Sequence, residues 1–267
     1  STILLFVLCT LGGLFTSFEV NAQTSYSQNL KDAIKAFLVQ EGDIQDGNGV
    51  QYNWERLNVQ DPDATANENS WWDDFVARDK YYIYSYGVGY VYLNINKICY
   101  GDFILENVDD LISVTIVTNY FESVKIKDCN VLRDVYLTIY YADDLAKISD
   151  TEVNIFGCPD LYNVNISGAD MKDVNITDCV MLSSFSSNES TLNNITIKGS
   201  PSFEYFSSQN DIRINKIQIE GSNSLKTFSL TVDYDEIANV GEINISNNQS
   251  TSFSFTTKNV KLPALPA

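Results

Sequence analysis

From Leu111 onward the chain repeats one short phrase: an apolar residue, two variable residues, an apolar residue, one variable residue, an apolar residue. It reads Leu111-Val114-Ile116, Phe121-Val124-Ile126 and Leu132-Val135-Leu137, then Leu161-Val164-Ile166 and Met171-Val174-Ile176. Later copies are Leu182-Phe185, Leu192-Ile195-Ile197, Phe203-Phe206, Ile214-Ile217-Ile219, Leu225-Phe228-Leu230, Val240-Ile243-Ile245 and Ser250-Phe253-Phe255. Apolar residues on a two-residue beat belong to strands buried on one side. Alternate copies differ in character, so the true period is two phrases: Leu161, Leu182, Phe203 and Leu225 are 21, 21 and 22 residues apart. A fixed period of this length marks a solenoid, in which each coil buries its apolar face against its neighbours. With a strand phrase in each half-coil, the expected fold is mainly β: a leucine-rich-repeat-like β-solenoid of parallel strand ladders, its two sheets facing each other across a shared core.

Upstream the beat changes. Between Gln28 and Gln40, Leu30, Ala33, Ile34, Phe37 and Leu38 share one face of a helix, with Ser27 placed to cap its start and Gly42 just beyond its end. Trp71, Trp72 and Phe75 precede a run of Tyr81, Tyr82, Tyr84, Tyr86, Tyr90 and Tyr92 whose alternation suits strands. The end of a solenoid exposes apolar surface and needs a cap. Residues 23–90 are therefore expected to be a small helical and aromatic N-terminal cap, 91–260 the solenoid and 261–267 a C-terminal tail. Residues 1–22 read as a signal peptide. The apolar run from Ile3 to Leu14 is short for a membrane span and leads to the small-residue site at Ala22. A secreted or cell-surface protein is the corresponding expectation.

Two coils break the rhythm. Leu132 is followed only 18 residues later by Asp150, which stands in the anchor slot before Val153-Ile155, and the excess falls around Tyr140, Tyr141, Asp143 and Asp144. Leu225 and Val240 are 15 residues apart, with the excess around Asp233, Tyr234, Asp235 and Glu236. Both insertions follow the same kind of half-coil, so they are expected along one edge, where repeat proteins often place their binding residues. Tolerated drift in a surface loop is the plainer reading of the same residues.

Composition narrows the chemistry. The formal charge of −18 argues strongly against nucleic acid as a partner, since its phosphates demand clustered Lys and Arg. The chain has no His, and so lacks the commonest general base and the commonest transition-metal ligand. Asp43, Asp46 and Asn48 evoke a calcium loop, but Gly47 and the missing Glu at the twelfth position break that pattern. No catalytic residue, metal or cofactor is expected. A polysaccharide-processing β-solenoid would need two carboxylates within roughly 5–10 Å in a cleft, and only Lys147 offers a basic group near the insertions.

Cys129, Cys158 and Cys179 each lie three residues before an anchor, and Ser200 and Ser222 hold the same offset in later coils. These side chains are expected to stack in one column. Cys158 and Cys179 are one coil apart, which permits a disulfide in an oxidising compartment; stacked side chains that point alike favour packed thiols instead. The N-x-S/T matches at Asn165, Asn175, Asn188, Asn194, Asn244 and Asn248 mostly belong to the repeated strand phrase and read as its by-products.

The stretch from Leu192 to Asn210, with echoes at Gly157-Cys158-Pro159-Asp160-Leu161 and Ser246-Asn247-Asn248, resembles the short-period leucine-rich repeats of bacterial exported and surface proteins. Their phrase is LxxLxLSxNxxLxxLxLxxN, often with Cys before an anchor. Here Val, Ile and Phe replace most Leu, and the Asn ladder is incomplete, Asn188 and Asn210 being its clearest members. The resemblance covers roughly residues 91–255. It implies a non-enzymatic role in protein recognition or adhesion, with an extracellular protein as ligand. Carbohydrate binding is the alternative, with Trp71, Trp72 and Tyr81 as stacking rings; it requires two or more of them exposed and coplanar. A third possibility is end-to-end assembly through the last apolar pair, Phe253 and Phe255.

Overall fold

The computed structural model describes residues 26–43, 50–64, 70–78, 83–85, 91–95, 99, 101–118, 121–139, 151–168, 170–211, 213–233, 238–250 and 252–262. Two ladders of parallel strands face each other. One sheet runs through β3 (Ile83–Ser85), β4 (Val91–Ile95), β6 (Leu111–Thr118), β8 (Asp134–Ile139), β10 (Asn163–Ser167), β12 (Ser184–Asn188), β14 (Tyr205–Gln209), β16 (Thr227–Thr231) and β18 (Ser254–Lys258). The other runs through β5 (Asp102–Glu106), β7 (Ser123–Lys127), β9 (Thr151–Phe156), β11 (Asp170–Thr177), β13 (Thr191–Lys198), β15 (Arg213–Glu220), β17 (Ala238–Ser246) and β19 (Val260–Lys261). From β4 onward successive strands alternate between the sheets, so every pair of half-coils makes one turn of a β-solenoid. All these pairings are parallel except β3 with β4.

Parallel stacking brings like residues over like. Val135, Val164, Phe185, Phe206, Phe228 and Phe255 are register partners in sequence. From Phe185 onward their rings stack at 5.4, 4.6 and 5.3 Å between centroids, within 24° of parallel. This register corrects the last phrase. Phe255, not Phe253, takes the middle anchor beside Phe228, and Ser252 rather than Ser250 comes three residues before it. A slip of two residues leaves every side chain on its own face, so alternation alone cannot detect it; the phenylalanine ladder decides. A second correction concerns Asp150, which lies outside the described residues. Thr151 holds that anchor slot: it pairs with Met171 across a one-residue irregularity and is buried, its hydroxyl donating to the Phe121 carbonyl.

A buried carboxylate interrupts the apolar core. In the phrases Leu182-Phe185 and Phe203-Phe206 the third anchor is missing. Ser187 and Ser208 fill it, stacked between Ile166 and Leu230. Both are buried, and both hydroxyls donate to the carboxylate of Asp211, which is 2% exposed; the Ser208 bond is 2.6 Å. The backbone N–H of Ser190 donates to its other oxygen at 2.8 Å. Three donors satisfy a carboxylate that burial would otherwise penalise heavily.

The coils turn through residues with positive φ. On leaving the eight-stranded sheet, Asp128, Gly157, Asp178, Gly199, Gly221 and Asn247 occupy the left-handed region, one per coil. Gly, Asn and Asp tolerate it best. One residue later comes the expected column. The thiols of Cys129, Cys158 and Cys179 and the hydroxyl of Ser200 each donate to the carbonyl two residues earlier, at 3.4–3.6 Å. All four described cysteines, Cys99 included, are buried and free, so Cys158 and Cys179 are packed thiols and not a disulfide. Asn188 and Asn210 do not share a ladder: Asn188 is in register with Gln209, and the main-chain bonds set Asn210 beside Glu189 at the corner.

The N-terminal region closes the first coils. Helix α1 (Gln28–Leu38) is capped by Ser27, whose hydroxyl accepts from Leu30 N–H, and it buries Leu30, Ile34, Phe37 and Leu38. The Phe37 ring meets Phe103 and Phe121 edge-on at 5.4 and 5.8 Å. Ser27 donates through N–H and Oγ to the two oxygens of Asp110, at 2.8 and 2.7 Å. A small hairpin of β1 (Glu41–Asp43) and β2 (Val50–Tyr52), the single turn α2 (Asn53–Arg56) and helix α3 (Ser70–Arg78) complete the described part. No described helix is long and apolar enough to cross a membrane.

Candidate recognition surface

The two outward faces of the solenoid differ in chemistry, and strand register fixes both. On the eight-stranded sheet the outward columns mix the charged Asp102, Glu106, Lys125, Lys127, Glu152, Asp173, Lys198, Lys216, Glu220 and Glu242 with the amides and hydroxyls of Asn154, Asn175, Asn194, Thr196, Gln218 and Asn244 and with the exposed Ile104 and Phe156. Many are paired from coil to coil, as Lys127–Glu106 at 2.6 Å, Lys172–Glu152 at 2.7 Å and Lys216–Glu242 at 3.2 Å. Lys127 beside Glu106 holds that carboxyl below the usual range and lifts its own ammonium above it. These are exposed pairs and contribute little to stability.

Across β8 to β18 on the nine-stranded sheet the outward positions are hydroxyls, amides and tyrosines, with Asp134 and Lys258 as the charged exceptions. The small side chains are ordered along the solenoid axis. The Asn163 amide donates to Asp134 at 2.8 Å and receives the Ser184 hydroxyl at 2.6 Å. Asn165 donates to Ser186 at 2.7 Å, and Thr138 and Ser167 share a bond of 3.0 Å. Among these rows, and on the turn leading into them, stand Tyr136, Tyr162, Val180, Met181 and Tyr205, each 40–49% exposed. Burial, and then Asp134, push the Tyr136 phenol up. Glu204 and Lys226 form a 2.7 Å pair beside Tyr205, and Lys226 holds the Glu204 carboxyl down, with a smaller contribution from the Tyr205 hydroxyl.

Large apolar and aromatic side chains in outward slots are what sequence reasoning missed. The available signal was local: Tyr162 and Tyr205 stand where neighbouring coils carry Ser183 and Ser184. The combination can form uncharged contacts at low entropic cost. Tyrosine supplies rigid area, while Ser and Asn supply adaptable hydrogen bonds, as in antibody paratopes. Little charge has to be stripped of water when a ligand covers such a face.

The sequence-derived candidates fall as follows. Tyr140, Tyr141, Asp143, Asp144, Tyr234, Asp235 and Glu236 lie outside the described residues, as does Tyr81. The strands that precede the two insertions, β8 and β16, belong to the same nine-stranded sheet and run parallel within it. Asp233 is described. Its N–H donates to Asn210 at 2.8 Å, and its carboxylate accepts from Lys258 at 2.8 Å and Gln209 at 3.1 Å. Lys258, then Gln209, hold its carboxyl below the usual range, and its bonds serve to tie coils together.

Trp71 and Trp72 do not form a stacking platform. They lie on α3, each 5% exposed, with their rings edge-on at 82°. Trp72 packs against Tyr26 and Phe75, and the Lys31 ammonium sits 5.5 Å from its ring centre. Burial of large apolar area decides the matter, and the amphipathic face of α3 supplies it. Among the described residues no cluster of three or more Cys, Asp or Glu is arranged to hold a metal ion. No family model matches the chain, and neither a curated protein nor a solved structure matches it.

Proposed function

We propose that this chain is a non-enzymatic, exported recognition protein that acts in adhesion at the cell surface. Its ligand is an extracellular protein lying across the outward face of the nine-stranded sheet. The observation that carries this reading is the nine-stranded face itself: from β8 to β18 its strand positions are nearly uncharged, and Tyr136, Tyr162, Met181 and Tyr205 stand exposed on or beside it, whereas the other face, with Ile104 and Phe156 exposed, carries many charges paired between coils. Interface cores are depleted in charge and enriched in Tyr and Met. The likeness to short leucine-rich repeats of bacterial surface proteins and the signal-like N-terminus support the same reading.

The test is an array of extracellular matrix proteins and polysaccharides, probed with residues 23–267. Binding to a matrix protein that drops at least tenfold in Tyr162→Ala/Tyr205→Ala supports the proposal. Binding to polysaccharide alone, or protein binding untouched by that double change, sinks it.

A further inference from the structure

We propose that the thiol column binds one soft, linearly coordinated metal ion of the copper(I) class between neighbouring coils. Cys158 is the ligand common to both places the ion can take, beside Cys129 or beside Cys179. The inference is independent of the reading of the nine-stranded face.

Register places the thiols. Cys129, Cys158 and Cys179 stand two residues beyond Lys127, Phe156 and Thr177, which are register partners in successive coils of the eight-stranded sheet. Val108 continues the column on one side, Ser200 and Ser222 on the other. All six side chains are buried. The three thiols make the same contact, each donating to the carbonyl two residues earlier, at 3.4, 3.6 and 3.4 Å. They therefore point alike, and their sulfurs follow one another in single file along the solenoid axis.

Spacing selects the kind of bridge. Parallel strands stack about 4.8 Å apart, so side chains that point alike keep their Cβ atoms at about that distance. A disulfide needs its Cβ atoms within roughly 3.5–4.5 Å, in agreement with the free thiols. Two metal–sulfur bonds of about 2.3 Å laid end to end span about 4.6 Å. The rise of one coil is too long for S–S and suits a linear S–metal–S.

Chemistry selects the ion. Structural zinc takes four ligands, whereas the chain has no His and no group of three or more Cys, Asp or Glu among the described residues is arranged to hold a metal ion. Soft sulfur ligands select copper(I), which accepts two of them in a line. The ion replaces the proton of one thiol, and that proton leaves to solvent. The neighbouring thiol keeps its own proton and gives a lone pair. Thiolate, thiol and one positive charge sum to zero, as a buried site requires, and no electron changes hands. The folded chain closes the column off from solvent, so the ion is taken up as the coils form.

The experiment refolds the purified chain from denaturant, reduced and free of oxygen, with and without copper(I), and then dialyses it against a copper(I) chelator. The expected result is one copper retained per chain, a raised unfolding midpoint, and X-ray absorption at the copper edge showing two sulfur neighbours in a line. Cys158→Ser leaves Cys129 and Cys179 two coils apart, about 9.6 Å, and should retain at least tenfold less copper. Serine already stands in this column at Ser200 and Ser222, so the variant should keep the fold. Cys99 precedes β5 instead of following a strand of this sheet, and Cys99→Ser should retain the wild-type amount. A wild type that surrenders its copper, equal retention by Cys158→Ser, or copper with oxygen or nitrogen neighbours overturns the inference. The absorption spectrum needs only the wild type, and so decides even where Cys158→Ser fails to fold.

Discussion

The side-chain amide of Gln40 pairs with the main chain of Asp102 as a neighbouring strand would. Its oxygen accepts from Asp102 N–H and its nitrogen donates to Asp102 C=O, both at 2.6 Å. Asp102 opens β5, the edge strand of the eight-stranded sheet. Edge strands present unpaired donors and acceptors that invite other chains; one glutamine supplies the missing partner here. Gln40→Ala leaves that N–H and C=O partly buried without it. The expected loss is about 1–3 kcal/mol, read from chemical denaturation, with faster amide exchange at Asp102. Gln40→Glu offers no N–H and should restore only the bond to Asp102 N–H. Wild-type exchange at Asp102 in Gln40→Ala would show that the pairing contributes nothing.

The solenoid itself was legible because its cause is periodic. Leu161, Leu182, Phe203 and Leu225 repeat because each must stack on the last, and Cys158, Cys179 and Ser200 keep their offset for the same reason. Helix α1 was legible from the spacing of Leu30, Ile34 and Phe37. What alternation could not supply was absolute register. Phe255 and Phe253 lie on the same beat, and only contact with Phe228 distinguishes them. Asp211 was illegible for another reason: an Asp after Asn at a coil corner looks like a solvated turn, and stacking alone reveals that Ser187 and Ser208 point at it. The tyrosine face was missed because outward positions carry no packing constraint, so Tyr162 and Tyr205 broke no pattern.

The Phe206 ring lies between Phe185 and Phe228, 4.6 Å and 9° from the latter. It is fully buried. Phe206→Ala should cost about 3–5 kcal/mol through lost transfer energy and the cavity left behind. Phe206→Leu keeps most of the volume and should cost clearly less. Equal losses for the two would show that the ladder tolerates voids, contrary to a close-packed core.

The thiol column offers a test of compactness. The Cys158 thiol beside it, and burial, push Cys129 up. Cys158, lowered by Cys129 but raised by Cys179 and burial, is pushed up to about 12. Neither is a thiolate at neutral pH, and the thiolate is the reactive form. Alkylation followed by peptide mapping should find Cys99, Cys129, Cys158 and Cys179 unlabelled in the native protein and labelled together on unfolding. A Cys158–Cys179 linked peptide from a non-reducing digest would contradict the packed-thiol arrangement.

Asp211 gives the protein an unusual pH response. Burial raises its carboxyl above the ordinary Asp value, and the hydrogen bonds from Ser187, Ser208 and Ser190 N–H only partly offset that; no charged neighbour contributes. With the folded pKa above the unfolded one, the native state binds more protons in the window between them. Stability therefore falls as pH rises through that window, and the cost persists at neutral pH. The exposed pairs of Glu106, Glu204 and Asp233 have lowered carboxyls and act in the opposite sense, at more acidic pH. Asp211→Asn keeps the shape: its oxygen can accept from Ser190 N–H and its amide can donate to the Ser187 and Ser208 hydroxyls. The variant should be at least as stable as wild type at pH 7 and should lose the decline above the ordinary Asp range. Asp211→Ala, which orphans three buried donors, should lose about 2–5 kcal/mol at any pH. Denaturation midpoints measured from pH 4 to 8 decide it: parallel curves for wild type and Asp211→Asn would mean that Asp211 is not the group that titrates.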